Sequence, residues 1–224
     1  MNAISTSQPV KSRETVTRYL VSCGVIAGPL FIGASLTQAL TRSGFSFTSH
    51  AISLLLLGDS GWIQVANFGV TGLLAIALAG GAWRLLHSTK GGTWGPLLIG
   101  AYGMFLIAAG CFKPDPAFGF PPGSPEGGAA TISGHAGLHS LAFFALVLSV
   151  IAACFVFARR FRALKLRAWA RYCVATGLGA PILLFAGIGL SASGNGGLPL
   201  LGVAVATSSW LTAIAVRLWI DARD

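Results

Sequence analysis

Six runs of mainly apolar residues decide what this chain can fold into. They lie at about residues 17–40, 62–86, 94–112, 135–157, 169–190 and 198–220, each close to or above the roughly 20 residues that a helix needs to cross a bilayer. Inside lipid no water is at hand to satisfy backbone N–H and C=O groups, so a single run of this length closes its hydrogen bonds only as an α-helix. Composition agrees: 54% of the 224 residues are hydrophobic and 9% charged, whereas a soluble domain carries about a quarter charged residues. The predicted fold is all-α, a polytopic six-helix transmembrane bundle forming one domain over residues 17–220, with a short cytoplasmic N-terminal segment (1–16) and tail (221–224). A cleaved signal peptide is the rival reading of the first run, but its apolar core would span only about 7–15 residues.

The net charge of +9 raises the question of nucleic acid. The cations sit at the ends of the apolar runs instead of forming a patch interleaved with aromatics, which points to topology and anionic lipid. Lys11, Arg13, Arg18, Arg84, Lys90, Arg159, Arg160, Arg162, Lys165, Arg167, Arg171, Arg217 and Arg223 fall on one side of the predicted membrane, leaving Arg42 and Lys113 on the other. Under the positive-inside rule this places both termini in the cytoplasm, as an even number of spans requires. The expected location is the cytoplasmic (inner) membrane of a bacterial cell, and nucleic acid is not an expected partner. Arg159, Arg160, Arg162, Lys165, Arg167 and Arg171 are read as an inner loop that orients the chain and attracts lipid head groups. Of four cysteines only Cys111 lies toward the outer side, so no disulfide is expected there.

Two outer segments are long for loops, about residues 41–61 and 113–134. The first holds an apolar stretch at 51–57, too short to span and expected to pack on the bundle as an interfacial or re-entrant piece. The second carries Pro114, Pro116, Pro121, Pro122 and Pro125; such proline density forbids regular helix and favours a stiff, extended loop. Pro29 and Pro181 fall inside predicted spans, where neighbouring helices tolerate them.

Several of these stretches resemble a known family. The run Ser49-His50-Ala51-Ile52-Ser53-Leu54-Leu55-Leu56-Leu57-Gly58 followed by Gly61-Trp62, the run Gly110-Cys111-Phe112-Lys113-Pro114-Asp115-Pro116, a histidine opening the fourth span and Ala158-Arg159-Arg160-Phe161 closing it are similar to the bacterial membrane family catalogued as domain of unknown function 998. The resemblance covers about residues 15–220. It implies the six-helix fold and names no reaction.

Three of the four histidines share the predicted outer face. His135 and His139, four apart on one helix, stand about 6 Å apart along its axis, a spacing that suits two ligands of one metal, and His50 in the first outer loop would supply a third. Asp59, Asp115 and Glu126 lie on the same face, and Ser53 follows His50 closely. Under this reading zinc activates a water, Asp115 or Asp59 takes its proton and Ser53 assists, giving a metal-dependent hydrolase acting on lipid at the outer interface. The competing reading is structural, with the histidines bonding the outer loops onto the bundle and the aspartates serving as turn residues. Gln64, Asn67, Thr71, Thr207, Ser208 and Ser209 are expected to join helices by hydrogen bonds. A third reading, a small-solute transporter, is disfavoured by the absence of ionisable groups in the middle of the spans and of a detectable repeat between the two halves. The leading expectation is a non-catalytic component, an accessory subunit or lipid-facing scaffold whose partners are membrane lipids and other membrane subunits. A cofactor, zinc, enters only with the hydrolase.

Overall fold

The computed structural model of the chain describes residues 8–129 and 131–222. The helices are α1 (Gln8–Thr41), α2 (Gly61–Leu86), α3 (Trp94–Cys111), α4 (Gly134–Ala163), α5 (Arg167–Ser191) and α6 (Gly197–Asp221), with one short 3-10 turn at Ile52–Leu56 between α1 and α2. All six are long and apolar enough to cross a membrane. Even α3, with 18 residues, extends about 27 Å at 1.5 Å per residue, close to the roughly 30 Å hydrocarbon core. Each helix packs against the next in the chain and α1 returns against α6, so the six close into a ring. Large apolar residues such as Leu73, Met104, Leu141, Leu148, Ile182 and Phe185 are exposed around its outside, as a surface solvated by lipid tails requires. Trp62 and Trp94 are exposed at the starts of α2 and α3, the ends of spans being where indole rings prefer to lie.

Inside lipid, small residues and buried polar groups hold helices together where the hydrophobic effect cannot. Gly72 of α2 and Gly103 of α3 meet face to face, and a Cβ on Gly72 would come 2.7 Å from the Gly103 carbonyl oxygen. Between α1 and α2 runs an amide network. Gln38 Nε2 donates to Gln64 Oε1 at 2.6 Å, Gln64 Nε2 to Ser35 Oγ at 2.9 Å, and Asn67 Nδ2 to the Phe31 carbonyl at 3.0 Å. Gln64 and Asn67 thus join helices as anticipated, whereas Thr71 bonds to Asn67 and Thr207 back to Val203, each within its own helix. At an average of about 0.6 kcal/mol per interhelical bond in a membrane, the network fixes register more than it supplies stability.

Two stretches differ from the sequence expectation. Helix α4 runs six residues past the predicted end at 157, so Arg159, Arg160 and Arg162 lie on its last turns and Arg167 and Arg171 on the first turns of α5. The inner loop shrinks to residues 164–166, turned at Lys165 with φ 60°. A helix continues where arginine side chains reach the interface from its end, so charge marks the end of the membrane and not of the helix. The proline-rich segment is not extended either. It folds back on itself through Phe118 N–H to the Gly127 carbonyl at 2.9 Å and Gly119 N–H to the Pro125 carbonyl at 2.8 Å, with Phe118 and Gly119 both at positive φ. The polar segment 1–16 is helical from Gln8 onward; residues 1–7, and with them the start of that segment, lie outside the described residues, as do Arg223 and Asp224 of the tail.

Candidate functional site

The end of the ring carrying the two long segments is closed by their interlocking. After α1 ends, Arg42 reaches across and donates to the Leu55 carbonyl at 2.6 Å and to the Leu57 carbonyl, two acceptors exposed by the short 3-10 turn, which has too few residues to satisfy them. Its guanidinium also lies 4.9 Å from the centre of the Phe120 ring, a cation–π contact. Burial pulls the Arg42 pKa down and the Asp59 charge opposes that shift; it remains a cation. Leu55 and Leu56 are completely buried beneath it, so the 51–57 stretch packs on the bundle as expected.

His50 fastens the second segment to the first. Its Nδ1 accepts the Ser46 N–H at 2.9 Å, which leaves the proton on Nε2, and Nε2 donates to the Phe118 carbonyl at 2.8 Å. The ring packs between Phe45 and Phe120, with centroids 5.2 and 5.3 Å away. Asp115 ties the far end of the same segment to α4: its Oδ2 accepts the N–H of Ser133 at 2.8 Å, and Ser133 is the N-cap of α4, its hydroxyl accepting from Ala136 N–H. Hydrogen bonds from the Ser133 hydroxyl and amide hold the Asp115 carboxyl below its ordinary value, in a position that also suits the positive end of the α4 dipole.

Under this cap, at the same end of the ring, lies a cavity of about 380 Å³. Its floor and walls come from α1, α2, α3, α4, α5 and α6, and its roof from Ser49, Ala51, Ile52, Ser53 and Leu54 and from Pro114, Ala117 and Phe118. The lining is mostly aliphatic and aromatic, with His139, Ser53, Tyr102 and Thr207 among the few polar side chains. Two of its apolar lining residues, Phe144 of α4 and Ile188 of α5, are also exposed, which fits an opening between these two helices.

Of the six residues proposed from sequence as metal ligands or catalytic groups, Ser53 and His139 line this cavity and His50, His135, Asp59 and Asp115 do not. His139 is buried and bonds through Nδ1 to the carbonyls of Ala109 and Phe112, at 2.8 and 2.9 Å. These belong to the last turn of α3 and the residue after it, where carbonyls lack intrahelical partners. His135, one turn earlier on α4, is exposed and stacks edge-on against Phe112. Among the described residues no three His, Cys, Asp or Glu side chains form a group able to hold a metal. His50, with one nitrogen donating and the other accepting, offers no lone pair to an ion without breaking the cap. Asp59 is exposed beside Arg42, and Asp115 is committed to Ser133, so neither carboxylate lines the cavity with Ser53. The structure therefore does not assemble the metal, base and serine constellation from the six residues named for it.

At the opposite end the cations are spread over helix termini. Arg160 Nη1 donates to Thr89 Oγ1 at 2.6 Å and to the Lys90 carbonyl at 3.1 Å, Arg217 pairs with Asp221 at 2.6 Å, and Arg84 bonds Thr17 at 3.0 Å. Arg162, Arg167 and Arg171 surround one shallow depression, while Arg159 and Lys165 are exposed. Sequence reading did not find the cavity or the Arg42 clasp. The cavity has no motif, being built from apolar residues of every helix, whereas Arg42 carried a signal: a cation beside a short apolar turn whose carbonyls need donors.

A family described as a protein of unknown function (DUF998) matches residues 25–217 of this chain. No curated protein and no solved structure matches it.

Proposed function

The chain belongs to the DUF998 family, a family of unknown function, and from its own geometry we propose that this integral membrane protein is a non-catalytic component that holds a single lipophilic molecule in the capped cavity. One observation carries the reading: an apolar space of about 380 Å³, roofed by two interlocked segments and bounded at its mouth by lipid-facing Phe144 and Ile188. Its size lies within the roughly 300–1,000 Å³ of small-molecule sites, and a mouth in the apolar surface suits a ligand that arrives from the bilayer. The role fits an accessory subunit or scaffold that keeps a membrane-derived molecule in place for another membrane protein. The charge asymmetry supports an orientation with the basic end in the cytoplasm and the capped end outside, in the inner membrane of a bacterial cell. Arg162, Arg167 and Arg171, gathered around one depression, suit the phosphates of anionic lipids at the cytoplasmic face.

Photolabelling of the protein in lipid nanodiscs with a diazirine-bearing alkane tests the reading. Label should concentrate on peptides containing Phe143, Leu200 and Ala204, which line the cavity, and Ala204→Trp should remove it there without altering label on Leu73 or Phe185. Equal labelling of cavity and outer faces, unchanged by Ala204→Trp, would overturn it.

A further inference from the structure

The chemistry of the cavity wall says what head group the occupant carries, an inference that rests on the lipophile-binding reading above. Among the described residues no Asp, Glu, Lys or Arg lines the cavity. Arg42, the cation of the roof, is already bonded to the Leu55 and Leu57 carbonyls and covers Phe120. A phosphate, carboxylate or ammonium drawn into this space would lose its hydration and find no opposite charge, which burial penalises heavily. The occupant is therefore uncharged.

His139 supplies the complementary half of the argument. Both partners of its Nδ1 are carbonyl oxygens, those of Ala109 and Phe112, and a carbonyl only accepts. The ring proton must sit on Nδ1, so the neutral imidazole presents Nε2 as an acceptor. Nε2 makes no hydrogen bond among the described residues, although His139 is 6% exposed and lines the cavity. The side chain is thus fixed in one tautomer by two backbone groups, with its acceptor edge unpaired in an apolar chamber. Ser53, on the roof segment, likewise lines the chamber, its hydroxyl makes no hydrogen bond among the described residues, and it can donate to an oxygen held there.

We infer that the cavity takes a neutral lipid alcohol whose hydroxyl donates to Nε2 of His139 and accepts from Ser53, its hydrocarbon chain lying among the apolar wall residues toward the α4–α5 mouth. Buried polar groups left without a partner are costly and are generally matched, and a hydroxyl is the smallest uncharged lipid head group that both gives and receives a hydrogen bond.

The test compares dodecanol, dodecyl methyl ether and dodecanoate as competitors of the diazirine-bearing alkane, each corrected for its partition into protein-free nanodiscs. Dodecanol should compete about tenfold better than the ether, the scale of one hydrogen bond left unmade, and better than dodecanoate. In His139→Phe that preference should collapse while the ether competes as before. Equal competition by alcohol and ether in the natural sequence would overturn the inference and leave lipophile binding standing, and preference for dodecanoate would overturn the neutral head group. Failure of the alkane itself to label the cavity would overturn the parent reading. The alcohol–ether comparison needs no variant, so a misfolded His139→Phe leaves the test intact, and a preference that survives in a folded His139→Phe would remove the role of that residue.

Discussion

At His50 a single imidazole joins segments 68 residues apart in the chain, and its removal leaves both the Ser46 N–H and the Phe118 carbonyl without a partner. Each such loss costs about 1–3 kcal/mol when the group stays buried, and the ring contacts with Phe45 and Phe120 go as well. His50→Ala is therefore expected to lower the thermal unfolding midpoint clearly in detergent, whereas His135→Ala, at an exposed ring, should leave it almost unchanged; equal effects would show that the clasp contributes nothing. Asp115 adds a pH dependence. Its carboxyl titrates below the ordinary 3.8 because Ser133 bonds the charged form, so its contribution is complete above that ordinary value and is lost as pH falls through the lower folded value. Amide protection at Ser133 should drop on acidification in the natural sequence, and in Asp115→Asn it should show no such acid transition. The roles of these residues were only partly legible from sequence. His50 and His139 were both recognised as belonging to the capped end, but their partners are backbone carbonyls of Phe118, Ala109 and Phe112, and any residue type supplies a carbonyl. Spacing on a helix can suggest that two histidines share a ligand; it cannot reveal that a neighbouring helix ends beside one of them.

At the scale of elements the spans were legible because a bilayer sets their length and excludes alternatives. Their contacts were not, since Gly72 and Gly69 look alike in sequence. The structure separates them: a Cβ at Gly72 would meet Ile107 at 2.5 Å and the Gly103 carbonyl oxygen at 2.7 Å, while one at Gly69 would meet nothing within 4 Å. Gly72→Ala should thus push α2 and α3 apart and destabilise the protein by about 1–3 kcal/mol, the range for overpacking a tight interface. Gly69→Ala, gaining helix propensity in open space, should be neutral or mildly stabilising. Unfolding in mixed micelles compares the two, and an equal response would mean that the α2–α3 approach is not tight. The proline-rich segment shows the opposite limit. Its prolines correctly ruled out helix, but the fold-back depends on Phe118 and Gly119 at positive φ and on cross-loop bonds to Pro125 and Gly127; only the glycine announces such a turn in sequence.

For the whole molecule, the two ends differ in charge and in shape, and the two differences coincide. The end with the α4–α5 turn carries most of the cations, while the capped end has Arg42 and Lys113, of which Arg42 is tied into the roof by two backbone carbonyls. During insertion the cost of moving a cation across the membrane acts on the side chains flanking each span, and the orientation expected from it keeps the basic end in the cytoplasm and turns the cap with its cavity outward. A variant with Cys23 and Cys111 replaced by serine, keeping the buried Cys154 and Cys173, allows this to be read directly. Glu126→Cys, in the cap segment, should react with a membrane-impermeant maleimide in intact cells. Leu164→Cys, in the three-residue turn after α4, should react only after permeabilisation. Reversed labelling would place the cavity mouth in the cytoplasmic leaflet and the basic helix ends outside. That arrangement would leave the arginines of α4 and α5 without the anionic cytoplasmic surface that attracts them, and the positive-inside argument would then fail for this fold.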